Sequence, residues 1–334
     1  MQKRIFTPEV PPRIACTASC VGYEERRGRF GDRFDFCDET DLFGADTWEH
    51  AEAALGYTVL NLLLKKARLS HKDVGLLLAG DLQNQCVASS EGLLSAGAPF
   101  LGLYGACSTA CEAMIVAAMA LSANPTLENA VVVTTSHHCA AERQFRLPLE
   151  YGGQRPPTAQ WTATAGGGFL FTRSAGRVAV TEAMPGRMVD AGISDAGNMG
   201  AAMAPAVLDT LTAYFKESKN KIDDFDLIVT GDLGKEGSEI LYELAKGAGL
   251  SFSGKHRDCG ALLYDLKKQD AHSGGSGCGC AASLMAAEFI PAIAEGRLRN
   301  ILFLATGALM SPGSIQQGGN IIGIAPLVHL EATE

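Results

Sequence analysis

The sequence predicts an α/β protein with two similar halves, each a mostly parallel sheet with helices on its faces. Two observations carry this prediction: apolar runs of the length of buried strands, and segments that recur in the same order later in the chain. The 334 residues are 47% hydrophobic and 19% charged, which is ample for an extensive core.

The first pair of matched segments is a strand that ends on an aspartate. "DVGLLLAGDL" (73–82) resembles "DFDLIVTGDL" (224–233), and a polar turn and a helix follow each. Asp81 and Asp232 therefore stand at strand ends, where ligands bind in α/β sheets. We predict that both contact a ligand; the alternative is that they cap the following turn or helix.

The second pair is a turn of small residues that leads into a helix of apolar 3.6 periodicity. "YGACSTACEAM" (104–114) corresponds to "SGGSGCGCAAS" (273–283), so Cys107 and Cys278 each lie where a helix begins. Unpaired N–H groups there favour anions and thiolates. We predict that both cysteines line a ligand site; the alternatives are a small buried hydrophobe and a close-packed small residue.

The third pair comprises "NAVVVTTSHH" (129–138) and "NILFLATGALM" (300–310), which are predicted to be strands buried on both faces. Segments 166–183 and 318–332 then provide closing strands. The predicted halves are 1–175 and 176–334, with a crevice between them. Ser136 and His137 end the first buried strand and are ligand-site candidates, although a structural role for one of the two adjacent histidines is the alternative.

Composition excludes several classes of protein. The net charge of -9 argues against nucleic-acid binding. The N-terminus lacks the pattern of a secretory signal, and we expect no membrane-spanning segment. Ten cysteines in apolar or glycine-rich surroundings indicate a reducing compartment rather than a disulfide framework. We expect no cofactor and no metal site.

Duplicated halves with a cysteine at the first helix corner resemble the thiolase and ketoacyl synthase superfamily, whose fold is layered αβαβα. The longer strings "TSHHCAAERQFRLPLEYGGQRPPTAQWTATAGGG", "DAHSGGSGCGCAAS" and "LATGALMSPGSIQQGGNIIGIAPLVHLE" resemble the stage V sporulation protein AD family. That resemblance implies binding of dipicolinic acid and its delivery into the developing spore. It also implies a soluble chain, peripheral to the forespore or spore inner membrane, beside membrane-embedded proteins of the same transport complex.

The condensing enzymes of that superfamily also use a histidine after the second-half strand and an asparagine or histidine at the second helix corner. Here "LIVTGDLG" (227–234) contains no histidine, and Cys278 occupies the corner. His272 is the histidine nearest to that corner and fits neither position, but we retain it as a ligand-site candidate. We therefore predict a protein that is not an enzyme; the alternative is an acyltransferase that uses Cys107.

Dipicolinate is flat, small and doubly negative, and two helix N-termini facing one crevice offer one carboxylate site each. Three arginines of the long segment after the first-half strand are candidates for further contacts, or else solvated loop residues: Arg143, Arg146 and Arg155. Calcium bridging between the ligand and the two strand-end aspartates is a hypothesis. The superfamily also implies a homodimer through the first-half sheet, with segment 129–138 near the twofold axis.

Overall fold

The computed structural model describes residues 3–145 and 154–333. Within them, sixteen strands form one large and two small sheets. The strands are β1 (Arg13–Val21), β2 (Phe36–Cys37), β3 (Leu77–Gly80), β4 (Phe100–Gly102), β5 (Asn129–Ser136), β6 (Trp161–Thr162), β7 (Ala165–Thr172), β8 (Val178–Met184), β9 (Val189–Asp190), β10 (Leu227–Thr230), β11 (His256–Asp258), β12 (Gly275–Ser276), β13 (Asn300–Leu304), β14 (Gly307–Leu309), β15 (Ile322–Ile324) and β16 (Leu327–Ala332).

The α-helices lie between these strands. They are α1 (Tyr23–Arg26), α2 (Trp48–Ala67), α3 (Val87–Leu93), α4 (Thr109–Ala123), α5 (His138–Phe145), α6 (Met199–Glu217), α7 (Gly234–Gly247), α8 (Cys259–Leu263), α9 (Cys278–Leu284), α10 (Ile290–Ala294) and α11 (Pro312–Gln316). A π-helical turn, Met285–Phe289, joins α9 to α10. Short 3-10 turns occupy 31–33, 71–73, 84–86, 94–96 and 222–224.

The two sides of the large sheet have similar strand arrangements on either side of its centre. The order is β11-β10-β13-β16-β8-β1-β7-β5-β3-β4, and β2 pairs with β1. Strands β5, β3 and β4 pair in parallel at one end and β13, β10 and β11 at the other, whereas the central ladders are antiparallel. The prediction of a mixed α/β fold is confirmed. The boundary between residues 175 and 176 stays a prediction.

The central helices α4 and α9 pack against each other and against strands of the large sheet. Gly279 and Gly167 allow this approach, because a Cβ on Gly279 would lie 1.9 Å from the Ala165 carbonyl oxygen and one on Gly167 would lie 2.3 Å from that of Ala282. All eight residues of β5 are buried, as its valine-rich sequence predicts. This packing holds the N-terminus of α4 against residues from distant parts of the chain.

Helix α4 and the residues before it have the length and hydropathy of a membrane-spanning helix. The window Ala106–Ala123 is long and apolar enough to cross a bilayer by length and composition, which the sequence prediction had excluded. However, 67% of this window is buried inside the fold. A buried core helix passes the same test, so this single helix is weak evidence for a span.

The edge of the large sheet bears on the predicted homodimer. Strand β5 lies between β3 and β7, so it offers no free edge to a second copy. The free edge on this side is β4, where Phe100 and Leu101 are 39% and 47% exposed. Edge-to-edge pairing at this end of the described sheet is therefore open to β4. The homodimer with segment 129–138 near its twofold axis stays a prediction.

Candidate functional site

A cleft opens at the N-terminus of α4 and contains about 560 Å³ of empty space, including its open mouth. Its walls come from both predicted halves of the chain. The apolar lining includes Leu82, Phe145, Met199 and Met310. The polar lining consists of Tyr104, Cys107, Glu142, Thr162 and Ser276. Among the described residues, no histidine and no arginine or lysine lines this cleft.

The corner that carries Cys107 is fixed by local hydrogen bonds. Ala106 adopts a left-handed backbone conformation with φ of 50°, which turns the chain sharply into α4. The Thr109 hydroxyl donates to the Ala106 carbonyl at 2.7 Å and accepts the Gly105 N–H at 3.0 Å. The Ser108 hydroxyl donates to the Gly105 carbonyl at 2.7 Å. Cys107 is thereby held at the floor of the cleft, where its residue is 6% exposed.

A short parallel ladder between β6 and β12 forms another wall of the cleft. In it, Thr162 pairs with Ser276 and Trp161 pairs with Gly275. The Gln160 side-chain amide donates to the carbonyls of Asp232 and Gly275, which ties the start of this ladder to the end of β10. Hydroxyls from residues 114 positions apart therefore line one wall.

Asp232 lies directly behind this wall and is fully buried. Its Oδ2 accepts the Ser276 hydroxyl at 3.0 Å and the Gly277 N–H at 2.9 Å, and its Oδ1 accepts the Thr306 hydroxyl at 2.6 Å. Gly277 is the N-cap of α9. The carboxylate of Asp232 therefore stands at the helix end where the sequence analysis placed a ligand carboxylate, and it satisfies one N–H there.

The Cys107 sulfur lies 3.6 Å from the Ser276 hydroxyl oxygen. Burial, followed by the nearby charge of Asp232, raises the pKa of the Cys107 thiol well above its usual range. Burial also raises the pKa of Asp232, against the opposing effect of its hydrogen bonds. The expected gain of thiolate character at the helix N-terminus is thus outweighed by burial and by a neighbouring acid.

Asp81, the counterpart of Asp232, does not line the cleft. It is fully buried, and its carboxylate accepts the backbone N–H groups of Gln83 and Ser89, each at 2.8 Å, and the Ser89 hydroxyl at 2.6 Å. These bonds cap the turn and helix after β3, as the alternative interpretation stated. With both aspartates fully hydrogen-bonded and buried, calcium bridging through Asp81 and Asp232 is not supported by their geometry.

A second buried acid, Glu52, adjoins Asp81 and was missed in the sequence. It accepts the Gln83 side-chain amide at 2.8 Å and the Thr135 hydroxyl at 3.3 Å. Burial, and then the charge of Asp81, raises the pKa of Glu52 to about 8. The signal was present in the spacing, because Glu52 falls in helical register with apolar Leu55 and Val59.

Ser136 and His137 are both buried, away from the cleft. The Ser136 hydroxyl donates to the Ala163 carbonyl at 2.7 Å. The His137 Nε2 lies 2.8 Å from the Asp41 carbonyl oxygen, and its Nδ1 accepts the Ala140 N–H at 3.4 Å. Burial lowers the pKa of His137. This geometry fits a neutral structural histidine.

Cys278 and His272 also lie outside the lining of the cleft. The Cys278 thiol donates to the Thr135 carbonyl at 2.9 Å and packs in a small cluster with Cys107. His272 lies with Nδ1 2.8 Å from the Pro156 carbonyl oxygen and Nε2 2.7 Å from the Asp270 carboxylate. Of the predicted site residues, Cys107 alone lines the cleft in the part of the chain that the structure describes.

The candidate arginines have partners elsewhere. Arg143 forms an ion pair with Glu49 at 2.9 Å and lies 4.4 Å from the centre of the Trp48 ring. Arg155 forms an ion pair with Asp270 at 3.1 Å and lies 4.7 Å from the centre of another tryptophan ring. Neither lines the cleft, and Arg146 lies outside the described residues.

No cluster of three or more histidine, cysteine or acidic side chains suited to a metal ion occurs in residues 3–145 and 154–333. The lining residues that the sequence analysis did not single out include the polar Tyr104, Glu142, Thr162 and Ser276 and the methionines Met199 and Met310. Tyr104 and Met310 lie within the matched segments. Their positions, beside a helix corner and a strand end, could have marked them as lining residues. Met199 begins helix α6, and the sequence pattern there gives no sign of a ligand site.

Comparison with known proteins identifies the family. The family model described as stage V sporulation protein AD matches residues 2–331. Stage V sporulation protein AD of Bacillus subtilis (strain 168) is 40% identical over 329 residues, covering 98% of this chain and 97% of that protein.

Solved structures of low identity share the fold. A variant of OleA from Xanthomonas campestris aligns with a TM-score of 0.59 at 15% identity, over 97% of this chain and 99% of that chain. The 3-oxoacyl-[acyl-carrier-protein] synthase III from Aquifex aeolicus gives 0.56 at 13% identity, over 95% and 99%. These likenesses confirm the thiolase-like fold. The family model and the 40% identical relative show that the chain belongs to the stage V sporulation protein AD family.

Proposed function

We propose that this protein binds dipicolinic acid without transforming it and delivers it into the developing spore. The observation that carries the proposal is the cleft at the N-terminus of α4, with apolar walls and the Cys107 thiol at its floor, in a chain of a sporulation family.

The lining suits a small aromatic ring with an acidic substituent. Leu82, Phe145 and the two lining methionines provide apolar and polarisable contacts for the ring. One carboxylate faces the positive end of the α4 dipole. The hydroxyls of Tyr104 and Thr162 supply hydrogen-bond donors beside it. Because α9 is already capped by an aspartate, the second carboxylate points to the mouth of the cleft.

Calcium belongs to the proposal because of the charge of the ligand. Dipicolinate supplies three donor atoms to a cation that accepts six to eight ligands, so the chelate is less negative than the free dianion. None of the lining side chains that the structure describes is cationic, and the less negative chelate therefore suits the cleft better than the free dianion.

An acyltransferase is the alternative, and the cleft offers it little support. Acyl transfer by Cys107 needs a base that can take its proton. The acid behind Cys107 is Asp232, whose carboxylate already accepts hydrogen bonds from Ser276, Gly277 and Thr306. Burial and the charge of Asp232 raise the pKa of the thiol, which disfavours the thiolate. Cys107 therefore contacts the ligand rather than attacking it.

Delivery requires partners. We infer that the chain acts at the forespore or spore inner membrane as a peripheral component beside membrane-embedded proteins of the same transport complex. The homodimer belongs to the same proposal, with β4 as the pairing edge. Five of the eleven exposed large hydrophobic side chains in the described residues fall within 87–104, on β4 and beside it, and these form the apolar edge: Val87, Leu94, Phe100, Leu101 and Tyr104.

Calorimetric titration tests the binding proposal. We expect saturable binding of dipicolinate that tightens with calcium, and weaker binding of isophthalate, which lacks the ring nitrogen that completes the chelate. Absence of saturable dipicolinate binding with or without calcium overturns the proposal. A covalent mass increase on incubation with acyl thioesters, lost in Cys107→Ala, would favour the acyltransferase.

A further inference from the structure

The hydrogen bonds behind the cleft fix the direction of each hydroxyl proton around Asp232. An ionised carboxylate only accepts hydrogen bonds, and Asp232 receives them from the hydroxyls of Ser276 and Thr306 and from the N–H of Gly277. The Thr306 oxygen in turn accepts the backbone N–H of Asp232 at 2.8 Å. No donor in this set is free to turn elsewhere without leaving the buried carboxylate short of a partner.

Ser276 has a single hydroxyl proton, and Asp232 receives it. The side of Ser276 that faces Cys107 therefore presents an oxygen lone pair, with the sulfur 3.6 Å away. A thiol satisfies this arrangement by donating its S–H to that oxygen. A thiolate would face a lone pair with an anion behind it. The Gly277 N–H on that side favours the thiolate, but it already donates to the Asp232 carboxylate at 2.9 Å.

The same relay does not serve as a general base. Proton transfer from sulfur to the carboxylate through Ser276 would leave a thiolate in the buried corner. The pKa of the thiol is raised by burial and further by Asp232. The pKa of Asp232 is raised as well, but its hydrogen bonds to hydroxyls and to a backbone N–H oppose that rise. The proton therefore stays on sulfur.

We infer that Asp232, acting through Ser276, holds Cys107 as a hydrogen-bond-donating thiol and so keeps a cysteine at a helix N-terminus from acting as a nucleophile. Asp232 is a positioning residue with two tasks in this arrangement: it caps α9 and it sets the protonation state of Cys107. The inference does not depend on the ligand or on the transport proposal.

The substitution Asp232→Asn removes the anion behind Ser276. The backbone N–H of Gly277 cannot turn away, so the amide oxygen takes the place of Oδ2 and the amide NH₂ group faces the Thr306 oxygen. The N-terminal dipole of α4 then acts on a thiolate with no adjacent anion. Alkylation by iodoacetamide reports this state: the thiolate attacks the methylene carbon, iodide leaves and the thiol proton goes to solvent.

The test measures alkylation of Cys107 against pH by mass spectrometry of its tryptic peptide. We expect the wild-type midpoint to lie above pH 9, and Asp232→Asn to lower it and to raise the rate at pH 7 by about tenfold or more. Asp81→Asn is the matched control, because it alters the counterpart buried aspartate without touching the relay; it should leave the Cys107 rate unchanged.

Two results overturn the inference. One is a wild-type midpoint at or below that of a free cysteine, about pH 8.5; this needs no variant and so holds even where Asp232→Asn does not fold. The other is an unchanged rate and midpoint in an Asp232→Asn protein whose circular dichroism and melting match the wild type. The label on half-buried Cys16, which lies on β1, serves as an internal rate standard.

Discussion

Thr162 and Ser276 stand opposite each other in a two-residue parallel ladder, and both side chains line the cleft. The ladder joins β6, just before the first closing strand β7, to β12, just before helix α9. A ligand in the cleft therefore contacts two distant parts of the chain through one rigid pair of residues. Hydrogen bonds stabilise the ladder: the Gln160 amide donates to the Asp232 carbonyl, and the Ser276 hydroxyl donates to the Asp232 carboxylate.

Removal of the Thr162 hydroxyl should weaken ligand binding without disturbing the ladder. Thr162→Val keeps the branched shape and the backbone hydrogen bonds, but it loses one donor. We expect dipicolinate affinity to fall by about three- to tenfold, which corresponds to one hydrogen bond of about 0.5–1.5 kcal/mol. Calorimetry measures the change. Thr58→Val, on α2 away from the cleft, should bind like the wild type, and a loss of affinity there equal to that in Thr162→Val would contradict the assignment.

Glu52 should make the protein less stable as the pH rises. Its pKa is raised from 4.5 to about 8 by burial and by Asp81, so the folded protein keeps a proton that the unfolded chain loses. The free energy of unfolding therefore falls between about pH 5 and pH 8, and the loss is complete above that range. Glu52→Gln removes the titration, and its Tm should exceed that of the wild type by several degrees at pH 9 but by much less at pH 5. The exposed Glu128→Gln is the control; parallel Tm profiles of wild type and Glu52→Gln would refute the prediction.

Gly279 should not tolerate a side chain. A Cβ there would lie 1.9 Å from the Ala165 carbonyl oxygen, so α9 would have to move away from β7. We expect Gly279→Ala to lower the Tm strongly or to prevent folding, as overpacking of a core does. Gly247→Ala, with open space around its Cβ position in helix α7, should be neutral or stabilising by up to about 1 kcal/mol. Thermal unfolding measures the Tm of both variants. Similar Tm changes in Gly279→Ala and Gly247→Ala would contradict the prediction.

The apolar edge at β4 should carry self-association. Leu101→Lys places a charge on the pairing edge and should convert the expected dimer to a monomer in analytical ultracentrifugation. Met188→Lys is the matched control, because Met188 is 72% exposed but lies away from this edge. A wild type that sediments as a monomer, or a Leu101→Lys protein that remains a dimer, would exclude pairing through β4.

The sequence predicted the strands and the helix corners well because their signals are local. The valine run of β5 and the small-residue turn before α4 depend on nearest neighbours, and Cys107 followed from that turn. Ser136 and His137 were predicted to project from the end of β5, yet Ala163 and Asp41 cover them. Which loop covers a strand end depends on long-range packing, which the spacing of residues does not encode.

Met199 and Glu142 show a second limit of prediction from sequence. A methionine at the first turn of a helix is typical of a core, and only the placement of the N-terminus of α6 beside the cleft makes Met199 part of the lining. Glu142 lies on α5 between Ala141 and Phe145, and a charged side chain on a helix is typical of a solvated face. Both positions depend on how helices from distant parts of the chain meet.

The carboxylate of Asp232 at the N-cap of α9 has a consequence for stoichiometry. A chain with matched segments could present two equivalent anion sites, one at the start of α4 and one at the start of α9. At the second site the Asp232 carboxylate already accepts an N–H, so the two helix ends are not equivalent as anion sites. A titration should therefore saturate at one dipicolinate per chain, and a homodimer should carry two.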